Sequence, residues 1–245
     1  MEINKIYNGD AYELIKQVAD KSVDLIITDP PYEIEGIHAS GIIKDRYVKS
    51  SYNEIKANDL DKNIDLKILD DFVRVMKKIN IYIWCNKEQI YDYLTYFVKN
   101  KNCNFEFLIW AKSDPNAFCG THYVKDKEYC LYFWEAGADV HIPFKRGKTV
   151  FFSQKNLADK KDFGHPTIKP LEIIKTFIQN SSSQGGVILD TFVGSGTTCV
   201  AAKELDRQYI GFELNEKYYK IAVDRLKGIN KNGQMDLFEQ TKLFE

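Results

Sequence analysis

The run Val187-Ile188-Leu189-Asp190-Thr191-Phe192-Val193-Gly194-Ser195-Gly196-Thr197-Thr198 restricts the fold of this chain more than any other stretch. An apolar strand ends on a carboxylate, turns through Gly-x-Gly and opens directly into a helix. Glycines in such a turn let the backbone come close to a ligand. A further strand over residues 208–213 closes on Glu213, and a helical pattern over 216–226 follows. Strand–turn–helix–strand–helix order of this kind belongs to parallel sheets covered by helices on both faces.

The rest of the chain repeats the alternation. Strands are predicted over 3–7, 23–27, 79–85, 105–110, 129–134 and 186–190. Helices are predicted from an N-cap at Asp10, with Leu14, Ile15 and Val18 on one face, and around Leu66, Leu69, Phe72, Val73 and Met76. Others cover 87–99, 171–178 and 197–205. The expected architecture is one α/β domain over 1–228, a doubly wound, mostly parallel sheet, followed by a tail over 229–245. Two weakly patterned segments, 33–60 and 136–164, are inserted in it, and long irregular segments in a compact domain tend to be functional or disordered.

Composition narrows the class. No apolar run is long enough to span a membrane, and the start Met1-Glu2-Ile3-Asn4-Lys5 has no basic flank leading into an apolar stretch, so a cytoplasmic protein is expected. The five cysteines form no CxxC or CxH pair, which argues against a disulfide framework or structural zinc, and no metal ligand set is visible. A net charge of −1 excludes a general pull toward nucleic acid but leaves room for a local basic surface. Lys145, Arg146, Lys148, Lys155, Lys160 and Lys161 gather in 136–164, and the first four are expected to supply such a surface by contacting nucleic-acid phosphates.

Three readings compete for the glycine loop. A triphosphate-cradling loop needs a lysine before Ser/Thr, yet Gly196 is followed directly by Thr197. A nicotinamide fingerprint wants glycine or alanine where Cys199 stands, and Asp190 would sit badly beside a pyrophosphate. The carboxylate suits the cationic amino-acid end of S-adenosylmethionine. Phe192, Gly194, Ser195, Gly196 and Thr197 would then line that ligand, with Glu213 on its ribose hydroxyls.

The second chemical signal is Asp29-Pro30-Pro31-Tyr32, which follows the apolar strand 23–27. Two prolines fix φ and donate nothing, so the loop is stiff and its carbonyls stay available. A carboxylate, a rigid carbonyl and an aromatic ring together suit a planar aromatic amine. Asp29 and the Pro30 carbonyl would accept its N–H groups, while Tyr32 would stack on its face.

Together these motifs resemble the amino-group DNA methyltransferases, which act on N6 of adenine or N4 of cytosine. The order of the motifs, Asp-Pro-Pro-Tyr first and Phe-x-Gly-x-Gly last, is similar to the permuted class of that family called β. The resemblance covers nearly the whole chain and implies a Rossmann-like methyltransferase sheet. It extends to Asn8-Gly9-Asp10, which would put Asp10 near the cofactor, and to His165-Pro166-Thr167-Ile168-Lys169-Pro170, which would face Lys169 toward the cofactor's carboxylate. Lys127-Glu128-Tyr129 and Gly211-Phe212-Glu213, with Tyr218, Ala222 and Arg225, match further elements. Family members that act on cytosine commonly carry Ser where Asp29 stands, so Asp29 favours adenine. The alternatives are N4-cytosine methylation, methylation of RNA or a protein amide, and a non-catalytic DNA-binding protein that holds the cofactor.

The resemblance also implies double-stranded DNA as a partner and a homodimer. The tail carries Gln234-Met235-Asp236-Leu237-Phe238, similar to the peptide with which bacterial proteins bind the replication sliding clamp.

Overall fold

A computed structural model describes residues 1–31, 64–114, 123–154 and 168–229. The strands are β1 (Lys5–Asn8), β2 (Leu25–Thr28), β3 (Asn80–Cys85), β4 (Asn104–Lys112), β5 (Lys127–Trp134), β6 (Val150–Ser153), β7 (Val187–Asp190) and β8 (Gln208–Glu213). They form one eight-stranded sheet in the order β1-β8-β7-β2-β3-β5-β4-β6. Neighbours are parallel except at β5, which runs antiparallel to both β3 and β4. The mostly parallel α/β sheet expected from the alternation is therefore the observed one.

Helices α1 (Ala11–Leu14), α2 (Ile68–Val75), α3 (Ile90–Tyr93), α4 (Leu171–Ser181), α5 (Thr197–Glu204) and α6 (Glu216–Leu226) complete the fold. Two apolar layers sandwich the sheet. One gathers Ile15, Leu69, Phe72, Phe97 and Phe133, and the other Ile174, Phe177, Ile178, Ala201 and Ala222. The central strands β2 and β3 are buried on both faces, which is why they read as continuous apolar runs rather than alternating ones. Among the described residues no helix is long and apolar enough to cross a membrane.

Three local expectations differ from the structure. Residues 136–164 hold a strand, β6, whose Val150 and Phe152 are exposed at the sheet edge, so Phe151, packed half-buried against Phe177, is the one apolar residue that marks its inner face. The helix expected over 87–99 is α-helical only over α3 and continues as a π-helix over Leu94–Asn100. Leu66 lies exposed ahead of α2, and Ile68 takes the buried position instead.

Candidate active site

The chain leaves β2 toward β3 on one side and leaves β7 toward β8 on the other, so the strand order reverses between β2 and β7. A crevice at the carboxyl ends of the strands opens at such a switch point, and it is where open α/β sheets bind ligands. The register Leu25↔Ile188 and Ile26↔Leu189 brings the ends of both strands level. A buried hydrogen bond of 3.0 Å between the Thr28 and Thr191 hydroxyls ties them together. Asp29 and Asp190, each the carboxylate at the head of its loop, thus share one crevice.

On the β7 side the loop is built around a buried carboxylate. Asp190 Oδ1 accepts the Phe192 N–H at 3.0 Å. Burial pushes Asp190 up to about 7, against the pull of the Thr198 hydroxyl and the Phe192 N–H. No cation pairs with it among the described residues.

Gly194 and Gly196 take φ of 54° and 88°, the left-handed region that favours glycine. A Cβ on Gly196 would stand 3.1 Å from Ala222 Cα, so glycine also lets α5 start against α6. Arg225 of α6 reaches back into this turn, donating to the Thr197 hydroxyl at 2.9 Å and to the Ser195 hydroxyl at 3.3 Å.

Glu213 closes β8 beside the loop. Its Oε2 accepts the Gly194 N–H and its Oε1 the Asn215 N–H, both at 2.8 Å. Burial raises this carboxyl to about 6, opposed by those two N–H groups. Each oxygen keeps a further lone pair, so the residue can brace the loop and still accept from a ligand. The Glu213 carbonyl accepts from the Gly9 N–H at 3.0 Å and from Asn8 Nδ2 at 2.8 Å, which brings Asn8-Gly9-Asp10 to the same end of the sheet. Asp10 is exposed there and caps α1, accepting the Tyr12 N–H at 2.7 Å.

On the β2 side, Asp29 Oδ2 accepts from the ammonium of Lys169, which stands just before α4. Lys169 is buried and also pairs with Glu128 of β5 at 3.1 Å, while Lys112 of β4 pairs with Glu128 at 2.6 Å. Asp29 Oδ1 is buried and accepts no hydrogen bond from the described residues. Burial raises the Asp29 carboxyl, Lys169 lowers it through charge and hydrogen bond, and Glu128 raises it again. Burial alone would raise Glu128 as well, but Lys169 and Lys112 together hold it below the usual range.

The structure brings together Asp29, Pro30, Pro31, Lys169, Asp190, the glycine loop and Glu213. Tyr32, Lys155 and His165 lie outside the described residues. The basic group is not brought to the crevice. Arg146 donates to the Asn180 side chain at 3.0 Å at the far end of α4, and Lys145 and Lys148 flank it. That end is about 16 Å from Lys169, from the 1.5 Å rise of an 11-residue helix. The resemblance implies a cofactor carboxylate for Lys169, and among the described residues it pairs with Asp29 and Glu128. Glu128 and Lys112 were missed as site residues. The match of Lys127-Glu128-Tyr129 to the family pattern touches Glu128, and no sequence signal singles out Lys112. Among the described residues no cluster of His, Cys, Asp and Glu could hold a metal ion. Cys85, Cys103, Cys130 and Cys199 are buried free thiols.

Comparison with known proteins agrees with this geometry. The N6/N4 DNA methylase family model matches residues 23–224. The chain is 28% identical to the type II methyltransferase M.HinfI of Haemophilus influenzae, over 94% of this chain and 70% of that protein. It is 26% identical to the DNA adenine methyltransferase YhdJ of Escherichia coli, over 92% and 83% of the two chains. The crystal structure of the M1.HpyAVI–SAM complex superposes with a TM-score of 0.65 at 26% identity, over 91% of this chain and 98% of that one. The fold of the cytosine-N4-specific PvuII DNA methyltransferase matches equally well, with a TM-score of 0.65 at 17% identity, over 100% and 91%. This chain belongs to the amino-group DNA methylase family.

Proposed function

We propose that the protein transfers the methyl group of S-adenosylmethionine to N6 of an adenine flipped out of double-stranded DNA. The observation that carries the reading is Asp29 at the head of the Pro-Pro loop. One of its oxygens is held by Lys169, and the other is buried and accepts nothing from the described residues. A buried acceptor left open at a switch-point crevice is placed for a donor on a ligand.

The cofactor fits the other half of the crevice. Asp190 is a buried carboxylate whose partners are a hydroxyl and an N–H, which suits the cationic amino-acid end. Glu213 would accept from the ribose hydroxyls with its remaining lone pairs, and the Phe192–Thr197 stretch would line the ligand. Asp10 would stand at the outer rim. S-adenosylmethionine supplies a methyl group on a sulfonium, which leaves as a neutral thioether.

The chain's own residues act on the base. A base inside a duplex cannot present its amino nitrogen to the crevice, so extrusion is required, at roughly a few kcal/mol. Asp29 Oδ1 and the Pro30 carbonyl would accept the two N6 hydrogens and draw the nitrogen toward tetrahedral geometry, localising its lone pair. Tyr32 would stack on the ring. In the transfer an N6–carbon bond would form as the cofactor's sulfur–carbon bond breaks, and N6 would then release a proton to solvent. The order of the motifs supports the permuted β class. Asp29 favours adenine over cytosine, and the family includes enzymes of both kinds.

The test is incubation with labelled S-adenosylmethionine and DNA of mixed sequence, followed by nucleoside analysis by mass spectrometry. N6-methyladenine is expected, and Asp29→Ala should abolish it while cofactor affinity changes little. N4-methylcytosine as the sole product would overturn the substrate, and loss of cofactor binding in Asp29→Ala would overturn the role of Asp29.

A further inference from the structure

Asp29 does not stand alone at the crevice. It ends a row of alternating charges that crosses four separate parts of the fold: Lys112 at the end of β4, Glu128 at the start of β5, Lys169 ahead of α4 and Asp29 after β2. All four side chains are largely shielded, with exposures of 18%, 23%, 7% and 24% in that order. The Lys169 ammonium also lies 5.1 Å from the centre of the Trp84 ring, which walls it from the β3 side. With two cations and two anions the row is neutral as a whole, which lets charged groups stay ionised at this depth.

We propose that Glu128 is a positioning residue for the methyl transfer: by sharing the Lys169 ammonium, it keeps that ammonium on Asp29 Oδ2 and so leaves Oδ1 to the target amine. An ammonium carries three donors, and in this arrangement Lys169 spends one on each carboxylate. Without the charge of Glu128, Asp29 is its sole anionic partner in the row. Lys169 then shifts onto both carboxylate oxygens and competes with the base for Oδ1. Lys112 holds Glu128 from the other side and keeps it ionised. The inference rests on the proposed role of Asp29 as the acceptor of the amine.

The measurement is the acid limb of the pH–kcat profile, which reports ionisation of Asp29. Around Asp29 stand Lys169 and Glu128, with Asp190 from β7, Cys85 from β3, Cys130 from β5 and Tyr93 from α3. The three thiol and phenol groups are neutral across the acid limb because burial raises them. Asp190 contributes equally to every variant compared.

Glu128→Gln removes an anion and should move the limb to lower pH by up to about one pH unit, with a fall in kcat. Lys169→Met removes a cation and should move it to higher pH. Glu128→Asp should restore the limb, because the charge returns, but not kcat, because the shorter side chain does not reach Lys169. A merely structural role would lower activity in all three without opposite movements of the limb. An unmoved limb in Glu128→Gln, or one moving with that of Lys169→Met, overturns the proposal. If Glu128→Gln does not fold, Lys112→Met carries the test: buried Glu128 loses the cation that keeps it ionised, so the limb should move to lower pH as in Glu128→Gln, and an unmoved limb or one moving to higher pH overturns the proposal. Absence of any methylated nucleoside from the wild-type protein would instead overturn the underlying function.

Discussion

Burial raises Asp190 to about 7, and the Thr198 hydroxyl and Phe192 N–H offset only part of that rise. In the free protein the group therefore holds a proton through mildly acidic conditions. A cationic ligand favours the ionised form, so below about pH 7 binding must expel that proton. Affinity for S-adenosylmethionine should accordingly increase between about pH 6 and 8, by at most about tenfold per pH unit, since one unit of pKa corresponds to ~1.4 kcal/mol. Calorimetry across that range should show the slope in the wild-type protein and a weaker, flat response in Asp190→Asn. A slope that survives the substitution would mean that Asp190 does not face the cation. Glu213, raised to about 6, titrates mainly below this window and faces neutral hydroxyls in the proposed complex. Linkage to folding has the opposite sense. A carboxyl whose folded pKa is raised binds more protons in the folded state, so Asp190 favours the fold less as pH rises from about 4 to 7. The ligand's positive charge would offset that loss.

At the scale of elements, β8 is pressed against the glycine loop through a residue with no side chain. A Cβ on Gly211 would stand 2.6 Å from Val193 Cγ2, 3.0 Å from Cys199 Sγ and 3.2 Å from Ile6 Cγ1. Val193 is β-branched, sits one residue before Gly194 and donates its N–H to the Phe212 carbonyl at 2.9 Å, so it has little freedom to yield. Gly211→Ala should cost about 1–3 kcal/mol by overpacking, measured by urea denaturation. It should also weaken cofactor binding, because relief comes by moving the loop. Full stability with wild-type affinity would show that the packing is looser than this. The same region explains why the sequence was so readable here. The strand over 208–213 and the helix over 216–226 match β8 and α6 at both ends, because Glu213, the Asn215 cap and a strong apolar period mark them locally. The charge row was not readable. Lys112, Glu128, Lys169 and Asp29 are scattered along the chain, and only the antiparallel insertion of β5 between β3 and β4 assembles them. Strand β6 is hidden for a different reason, since in an edge strand of four residues the half-buried Phe151 is too little to establish a period.

On the scale of the whole molecule, the chemistry occupies the carboxyl edge of the sheet, while Arg146 is taken up by Gln179 and Asn180 near the opposite edge. Lys145 and Lys148 stay exposed beside it, and neutralising them should flatten the salt dependence of DNA binding only if DNA extends to that end of α4. The tail offers a separate way to hold the enzyme near its substrate. Helix α6 ends at Leu226, Gly228 takes φ of 71°, and the polar stretch that follows leads to Gln234-Met235-Asp236-Leu237-Phe238, which lies outside the described residues. A polar segment has little reason to place Met, Leu and Phe so close together unless they dock, since their burial is the main gain available to them. By the resemblance to the clamp-binding peptide, Gln234 would fix the register and Leu237 with Phe238 would fill an apolar pocket. The crevice contacts made among the described residues are complete without them. A chain truncated after Asn232 should therefore methylate short oligonucleotides at the wild-type rate but lose binding to a purified bacterial sliding clamp, read by surface plasmon resonance at micromolar concentration. Retained clamp binding in the truncated chain would remove the motif from consideration. A truncated chain that melts at lower temperature, or loses activity on oligonucleotides, would show that Met235, Leu237 and Phe238 pack against the enzyme itself.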